Sequence, residues 1–211
     1  MKILIANKFF YPKGGSEIIM FEIAKILLQH GHEIRFFSMK NSKNIKSEDD
    51  KYFVSFIDFH QLNSFFKKIY AFFRVLYSFE AKKKIGLLVK EYKPDILFAH
   101  NVAHHITPSI FHLIKKHNIK IIHFMHDFKV VCPSYLMRWG NGVICDGLCR
   151  NRKFFWCTLK KCSHNNFFWS LTNTIEMYLH HSILHSYDLV DVFISPSRFL
   201  KNKVEEMGFK K

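Results

Sequence analysis

The stretch FFYPKGGSE, residues 9–17, decides the fold. It follows the apolar run Ile3-Leu4-Ile5-Ala6 and leads into a long amphipathic segment that starts at Ser16. This order predicts a strand, a glycine turn and the start of a helix. Adjacent glycines allow positive φ angles and let the backbone approach a ligand without a Cβ atom in the way. Ser16 is placed to cap the free N–H groups of the helix, and such a helix start attracts anions.

Two interpretations of this turn stay open. It is either a phosphate or sugar cradle on a Rossmann-like sheet, or an ordinary tight turn between a strand and a helix. The sequence has neither the G-x-G-x-x-G pattern nor the G-x-x-x-x-G-K-[ST] pattern here. On spacing alone, the ordinary turn is therefore the favoured interpretation.

The composition favours one domain and an anionic partner. With 211 residues, of which 48% are hydrophobic, the chain suffices for one core, so we predict a single domain over residues 1–211. The formal charge of +15 attracts nucleic acid, anionic lipid or phosphorylated small molecules. No nucleic-acid-binding motif is visible and the lysines are scattered, so we expect no nucleic-acid partner. We also expect no secretory leader, no transmembrane helix and a cytoplasmic location.

Apolar strand-like runs alternate with amphipathic helical runs along the chain. Strands are predicted at 33–38, 52–59, 96–99, 120–125 and 189–194, in addition to the first one. Helices are predicted from Ser16 to Gly31, and at 62–91, 107–117, 167–185 and 197–207, with a loop at 40–50. Strands this apolar, alternating with helices, predict a parallel α/β sheet with helices on both faces. In such sheets, ligands bind beyond the carboxyl ends of the strands.

The predicted helix at 62–91 carries a broad apolar face with a basic rim. The apolar positions are Phe65, Ile69, Phe72, Phe73 and Leu76. The basic positions are Lys67, Lys68, Arg74, Lys82, Lys83 and Lys84. This pattern fits a helix that packs on the sheet with its lysines in water, which is the interpretation we favour. It also fits a helix that lies on an anionic membrane, so peripheral contact at the inner membrane face stays open.

A cysteine-rich segment at residues 132–165 interrupts the α/β pattern and holds all five cysteines. Four of them form a Cys-x3-Cys pair and a Cys-x4-Cys pair, and these are Cys145, Cys149, Cys157 and Cys162. Four thiolates at short spacing suit a structural zinc ion, and the alternative is that they pack as small apolar side chains. We favour packing, because the spacing is less specific than paired C-x2-C motifs.

Four motifs, taken in order, resemble family 4 glycosyltransferases. They are MKILIANKFFYPKGGSE at 1–17, Pro94-Asp95-Ile96 with His100-Asn101, His126-Asp127, and Pro196-Ser197-Arg198-Phe199-Leu200. The resemblance covers essentially the whole chain and implies the N-terminal half of a GT-B fold. Such enzymes have two Rossmann-like domains that face a cleft, the N-terminal one for the acceptor and the C-terminal one for a nucleotide-sugar. They transfer a sugar with retention of configuration, usually without a metal ion.

The resemblance also implies site residues. Gly14 and Gly15 correspond to the glycine loop near the diphosphate and sugar of the donor, and His126 corresponds to a histidine that reaches the transferred sugar. We therefore predict His126 and Asp127 as catalytic, with Asp127 orienting the imidazole ring. The residues predicted to bind donor or acceptor are Gly14, Gly15, Ser16, His100 and Asn101. We expect no metal ion at this site and no cofactor, with the nucleotide-sugar as co-substrate. Glu17 is expected to serve the helix dipole.

The sequence departs from the family pattern in one large respect. The basic residues and the E-x7-E pattern that hold the nucleotide-sugar in the C-terminal domain have no counterpart here. A helix dipole contributes only about 0.3 to 1 kcal/mol at an exposed site, whereas micromolar binding requires about 8 kcal/mol. We therefore predict the acceptor-side domain of a retaining glycosyltransferase that is inactive alone, acting on a glycan or lipid-linked acceptor. The alternative is a non-catalytic binding or split-subunit module that pairs with a separate C-terminal domain.

Overall fold

A five-stranded sheet organises the computed structural model, which describes residues 1–58 and 64–210. The strands are β1 Lys2–Ala6, β2 Glu33–Phe37, β3 Ile96–Ala99, β4 Lys120–Phe124 and β5 Val192–Ile194, in the spatial order β2-β1-β3-β4-β5. Strands β1 to β4 pair in parallel, and Ile3 lies opposite both Ile34 and Ile96. The predicted Rossmann-like parallel α/β sheet is therefore confirmed.

Seven α-helices are present in the described part of the chain. They are α1 Gly15–Gln29, α2 Phe65–Leu76, α3 Phe79–Tyr92, α4 Ile110–Lys116, α5 Phe155–Leu159, α6 Phe167–Tyr178 and α7 Arg198–Glu206. The chain divides into two compact units. The first unit is Met1–Phe124 with Leu189–Val192, and the second unit is Met125–Asp188 with Phe193–Lys211.

The core of the first unit is built on the strands. The side chains of Leu4, Ile5, Leu97 and Ile121 are fully buried. Neighbouring side chains in a strand point to opposite faces, so burial of both Leu4 and Ile5 means that both faces of β1 are covered. A strand that is covered on both faces needs apolar side chains at every position, which explains the continuous apolar runs in the sequence.

Two helix ends follow the sequence signals closely. Helix α1 ends where Gly31 takes a φ of 77° and donates to the carbonyl of Leu28, while His32 donates to that of Leu27. This is the Schellman arrangement, which glycine favours because it has no Cβ atom. At the start of α7, the Ser197 hydroxyl accepts a hydrogen bond from the Leu200 N–H at 3.2 Å, as predicted.

The predicted strand at 52–59 is wrong for the residues that the structure describes. Glu48–Tyr52 forms a 3-10 turn with Ser47 at its N-terminal cap, and Val54 adds one isolated bridge. The turn begins within the predicted loop at 40–50, because the Ser47 hydroxyl accepts a hydrogen bond from the free N–H of Asp49. Phe59 lies outside the described residues.

The predicted helix at 62–91 is two helices, α2 and α3, within the described part of that range. The buried Ser78 divides them, because its hydroxyl accepts from the N–H of Ala81 and so caps α3. The N–H of Ser78 itself donates to the Thr107 hydroxyl at 3.2 Å. The Ser78 hydroxyl gives the N–H of Ala81 an acceptor outside the helical hydrogen-bond pattern, so a continuous helix is not needed here. Leu62 lies outside the described residues.

The carboxylate of Glu80 joins these helices to the preceding segment. It forms ion pairs with Arg74 at 2.7 Å and Lys84 at 2.9 Å, and it accepts two hydrogen bonds from Ser55. Burial raises the pKa of Glu80, but the bonds from Ser55 and Lys84 and the charge of Arg74 outweigh that effect and lower it to about 2. A carboxylate with a depressed pKa stabilises the fold above its ordinary pKa and loses that contribution as pH falls.

We expect the Glu80→Gln variant to be less sensitive to acid than the parent chain. The free energy of unfolding of the parent should fall as the pH drops from 4.5 to about 2, because Glu80 takes up its proton over that range. The variant should be less stable at neutral pH, and the two should converge at low pH. Urea unfolding across this range measures the difference, with the exposed Glu22→Gln as control. Parallel pH profiles for the parent and Glu80→Gln would contradict the assignment.

The second unit contains the cysteine-rich segment, α5, α6 and α7. Helix α6 is shorter than the predicted 167–185 and continues as a π-helical turn over Leu179–Ile183. The buried face of α6 is largely polar. The Thr174 hydroxyl accepts a hydrogen bond from the Thr158 hydroxyl and donates one to the Phe154 carbonyl. Among the described residues, no helix has both the length and the apolarity to cross a bilayer.

Candidate functional site

The carboxyl ends of β1 and β3 form the point where the strand order reverses. The chain runs from β1 to β2 on one side and then returns to place β3 on the other side of β1. Loops that leave two neighbouring strands in opposite directions open a crevice, which is where open α/β sheets bind ligands. Asn7 follows β1 at this edge, and His100-Asn101 follow β3.

The side chain of Asn7 ties the two strand ends to the start of α1. It is 2% exposed, and its Oδ1 accepts from the Asn101 N–H at 3.1 Å. Its Nδ2 donates to the Phe9 carbonyl at 2.8 Å and to Oε1 of Glu17 at 3.2 Å. Asn7 is not among the residues predicted from the sequence, although a polar residue directly after a buried apolar strand is the signal that could have identified it.

Glu17 lies in the first turn of α1, where a negative charge is favourable, as predicted from the sequence. The structure adds that the residue is only 3% exposed. A buried carboxylate needs hydrogen-bond donors, and Asn7 supplies one. Glu17 therefore also fixes the position of the glycine turn relative to β1.

The glycine turn differs from its prediction in two ways. Gly14 is the N-cap residue with an extended φ of −163°, and neither Gly14 nor Gly15 is among the glycines with positive φ. Ser16 is a residue of the first helical turn and does not cap it, and no side chain of the described residues does. A Cβ atom on Gly15 would meet nothing within 4 Å. A Cβ atom on Gly14 would instead meet Oε2 of Glu17 at 3.7 Å, so the turn is open beside Gly15 and approached by a carboxylate beside Gly14.

His100 and Asn101 are placed differently from each other. The His100 ring is 1% exposed and lies against Phe124, with centroids 5.5 Å apart and planes 12° apart, and against Phe98 at 4.8 Å. Asn101 is half-buried, and its carbonyl accepts from the Lys8 N–H at 2.9 Å. Asn101 is consequently linked to the residues after β1 by both its N–H and its carbonyl.

His126 and Asp127 belong to the second unit and begin two residues after β4. Both are half-buried. The Asp127 carboxylate accepts from the backbone N–H of Lys129 at 2.8 Å, which is a local turn typical of aspartate. The preceding residue, Met125, donates its N–H to the carbonyl of Ile194 at 2.9 Å. The backbone on both sides of His126 is therefore held by hydrogen bonds.

Lys129 anchors the loop that follows Asp127, and the sequence analysis missed it. Its ammonium donates to the Pro133 carbonyl at 3.1 Å and to a carboxylate oxygen of Glu176 at 2.6 Å. The two side chains are only 10% and 2% exposed. Burial raises the pKa of Tyr187, and the negative charges of Glu176 and Asp127 raise it further. Glu176 thus joins α6 to the loop next to the predicted catalytic residues.

The five cysteines are free thiols in the second unit. Burial raises the pKa of Cys132 and of Cys149. The hydrogen bond between Cys157 and Cys162 lowers the pKa of Cys157 and raises that of Cys162. In residues 1–58 and 64–210, no group of three or more His, Cys, Asp or Glu side chains is arranged to hold a metal ion. Metal analysis of protein purified without chelator remains the test of the zinc hypothesis.

The strand order and the polar residues at the strand ends define a Rossmann-like α/β protein whose switch point lies at the carboxyl ends of β1 and β3. The model of Glycosyltransferase Family 4 matches residues 13–211, which is nearly the whole chain. The chain belongs to this family, as the sequence motifs indicate.

One relative is the "Uncharacterized 42.6 kDa protein in cps region" of Klebsiella pneumoniae. The two sequences are 23% identical over 222 residues, covering 99% of this chain and 52% of the relative. The chain therefore spans about half the length of the curated relative it matches.

Two solved structures show weak likeness to the chain. UDP-GlcNAc 2-epimerase from Methanocaldococcus jannaschii gives a TM-score of 0.49 at 11% identity, covering 100% of this chain and 43% of that one. MurG from Acinetobacter baumannii gives a TM-score of 0.37 at 14% identity, covering 61% and 35%.

Proposed function

We propose that residues 1–211 form the acceptor-side domain of a retaining glycosyltransferase. The enzyme would move a sugar from a nucleotide-sugar to a glycan or a lipid-linked acceptor. The observation that carries this proposal is the buried Asn7 network, which joins Asn101 after β3 to Glu17 below the open glycine turn, in a chain of family 4. Such a network holds the carboxyl ends of β1 and β3 and the start of α1 together, at the edge where open α/β sheets bind ligands.

In the first unit, the proposed binding residues are the turn Gly14-Gly15-Ser16 together with His100 and Asn101. The start of α1 has no side-chain cap and a Cβ atom on Gly15 would meet nothing within 4 Å, which would suit the diphosphate of a nucleotide-sugar. Asn101 offers a half-buried amide for sugar hydroxyls. His100 is enclosed by aromatic rings, so its proposed contribution is to shape the crevice from behind.

In the second unit, the proposed catalytic residues are His126 and Asp127. Half-buried, His126 can offer a ring nitrogen to a hydroxyl of the transferred sugar. The Asp127 carboxylate is held by the Lys129 N–H and stabilises the neighbouring imidazole when it carries a proton. We propose no metal ion and no cofactor other than the nucleotide-sugar as co-substrate.

We propose that this chain needs a C-terminal nucleotide-sugar domain for activity, either in the same polypeptide or as a separate subunit. The 52% coverage of the relative supports a longer active protein. The helix start alone contributes about 0.3 to 1 kcal/mol, far below the roughly 8 kcal/mol of micromolar binding. A cytoplasmic location would give access to nucleotide-sugars, and we propose it on that ground.

Transfer assays with and without the second domain test this proposal. The 211-residue chain is purified alone and together with a co-expressed family 4 C-terminal domain, and nucleotide-sugars are screened by thermal shift before transfer is measured. We expect no transfer by the chain alone and sugar-specific transfer by the pair. Transfer by the chain alone would overturn the proposal that a C-terminal nucleotide-sugar domain is required for activity. A pair that binds a nucleotide-sugar but transfers nothing would favour the non-catalytic binding module.

A further inference from the structure

Helix α5 ends in a Schellman arrangement like that of α1, with two cysteines in it. Lys161 donates its N–H to the carbonyl of Thr158 at 3.1 Å, and Cys162 donates to that of Cys157 at 3.0 Å. Lys161 takes the left-handed conformation, with a φ of 48°, that this arrangement requires. A Schellman ending brings the side chains at the positions of Cys157 and Cys162 into contact. In most proteins that contact is made by apolar side chains, whereas here it is made by two thiols.

The backbone hydrogen bond limits the distance between the two cysteines. With the N–H of Cys162 bound to the Cys157 carbonyl at 3.0 Å, standard bond lengths keep the two Cα atoms within about 7 Å of each other. A disulfide spans a Cα separation of about 4.4 to 6.8 Å. The two thiols also form a hydrogen bond with each other, so the side chains point toward one another. The reduced chain therefore already has the arrangement that a disulfide requires.

The surroundings of the pair favour a thiolate at Cys157. The hydrogen bond from Cys162 lowers the pKa of Cys157, and the charge of Lys129 and hydrogen bonds from Thr174 and Ser163 lower it further, against the effect of burial. The thiolate is the reactive form of cysteine. Cys157 itself is 1% exposed, whereas Cys162 is half-buried. The pair thus combines a stabilised thiolate with a second sulfur that small molecules in solution can reach.

Helix α6 holds the two cysteines in place. The residue after Cys157 is Thr158, whose hydroxyl donates to the Thr174 hydroxyl at 2.9 Å. The residue after Cys162 is Ser163, whose N–H donates to the Ser170 hydroxyl at 3.0 Å and whose hydroxyl accepts from Nδ2 of Asn173 at 2.8 Å. Both sides of the Schellman ending are therefore bound to the same helix, which keeps the thiols from moving apart.

We propose that Cys157 and Cys162 form a dithiol that a hydroperoxide converts reversibly into a disulfide. The sulfur of Cys162 attacks the hydroperoxide, the O–O bond breaks, and Cys162 becomes a sulfenic acid while the second oxygen leaves as water or an alcohol. The sulfur of Cys157 then displaces the sulfenic oxygen, which leaves as water, and the S–S bond forms. The two thiols together lose two electrons and two protons, and the hydroperoxide is reduced.

The disulfide is a transient state of the chain. A reducing compartment keeps thiols reduced, so the disulfide forms when the oxidant is present and a dithiol reductant afterwards restores both thiols. This inference is independent of the proposed glycosyl transfer, because it concerns only the end of α5 and its contacts with α6.

Peptide mapping of the 211-residue chain tests the inference. Trypsin cleaves after Lys153, Lys160, Lys161 and Arg198, so residues 154–160 and 162–198 become separate peptides with one cysteine each. The chain is treated with chelator and reductant, desalted, exposed to hydrogen peroxide, alkylated and digested. We expect mass spectrometry to find the two peptides linked, with a mass two hydrogens below their sum, and dithiothreitol to separate them. A link between other cysteines, or oxidation without a link, would overturn the proposal.

Two serine variants test whether the cysteines act as a pair. Cys145 is also half-buried, so Cys145→Ser is the matched control and should form the link at the rate of the parent. In Cys162→Ser, Cys157 should resist peroxide, because its sulfur is buried and has lost the partner that reacts first. If Cys157 in this variant is oxidised as fast as in the parent, it reacts by itself and the proposed pair is wrong.

Two substitutions at Lys161 test the role of the helix ending. Lys161→Gly and Lys161→Val remove the same charge, but glycine adopts a positive φ freely whereas the β-branched valine strongly disfavours it. We expect Lys161→Gly to form the disulfide at least as fast as the parent, and Lys161→Val to form it at least about tenfold more slowly. Thermal unfolding confirms that each variant is folded. Equal rates in the two variants would show that the Schellman ending does not bring the thiols together, and would overturn the proposal.

Discussion

Replacing Glu176 by glutamine is expected to destabilise the protein by about 3 to 5 kcal/mol, which is a large share of the stability of a typical domain. The Glu176 carboxylate is 2% exposed and lies 2.6 Å from the ammonium of Lys129. A glutamine keeps the shape and one hydrogen bond but leaves the charge of Lys129 buried without compensation. The loss of stability therefore comes from the desolvated ammonium of Lys129, which stays buried without a countercharge.

Controls separate this effect from ordinary loss of a surface contact. Glu206 forms ion pairs with Arg150 and Lys203 and is 45% exposed, so Glu206→Gln should cost much less stability than Glu176→Gln. The double variant Lys129→Met with Glu176→Leu should recover much of the lost stability, because no charge remains buried. Urea unfolding of the four proteins measures these differences. A Glu176→Gln variant within about 0.5 kcal/mol of the parent would show that the pair is solvated in solution.

Replacing His126 by alanine is expected to lower the turnover of the complemented enzyme by about 100- to 1000-fold, the range found when a donor to developing charge is removed. His126 is half-buried, so its removal should change the melting temperature little. The loss should appear mainly in kcat, because a group that acts on the transferred sugar contributes most in the transition state. Steady-state kinetics with the complementing domain measure both constants.

A second substitution distinguishes the possible roles of His126. His126→Gln keeps a neutral hydrogen-bond donor, so it should recover part of the activity if the ring donates to a sugar hydroxyl. It should recover none if the ring transfers a proton. His117→Ala, at an exposed histidine after α4, is the control and should be indistinguishable from the parent. Full activity of His126→Ala would remove this residue from the proposed catalytic set.

The elements with strong local signals were predictable from the sequence. The apolar run at 3–6 could only be a buried strand in this pattern, and Gly31 and Ser197 mark helix ends by their own backbone and side-chain chemistry. The sheet class followed from the alternation of such strands with helices. These features depend on residues close together in the sequence, which is why they could be predicted from it.

One error is local: Ser16 has the chemistry of an N-cap, yet the helix starts one residue earlier, at Gly15. Two other errors arose where distant contacts decide the conformation. Ser78 interrupts an otherwise helical pattern because Thr107, from another part of the chain, accepts its N–H. Ile69 and Phe73, which the helical pattern predicted to pack on the sheet, are exposed on α2, whereas Arg74 of the predicted basic rim is buried. None of these long-range bonds is visible in local periodicity.

The candidate site was predictable in its positions but not in its connections. His126 and Asn101 could be identified because they follow strands, and their roles stay predictions. The two residues that hold these segments in place, Asn7 and Lys129, were missed. A lysine next to Val130 and Val131 is normally assigned to the surface, and only the three-dimensional contact with Glu176 shows why it is buried.

The amide of Asn7 also limits which chemical group this position accepts. Its oxygen accepts a hydrogen bond from the Asn101 N–H, while its nitrogen donates to the Phe9 carbonyl and to the carboxylate of Glu17. An aspartate would set two carboxylates about as far apart as this hydrogen bond, and a leucine of similar size would neither donate nor accept a hydrogen bond. The link between the two strand ends and α1 is thus specified by the bonding polarity of one side chain rather than by its volume.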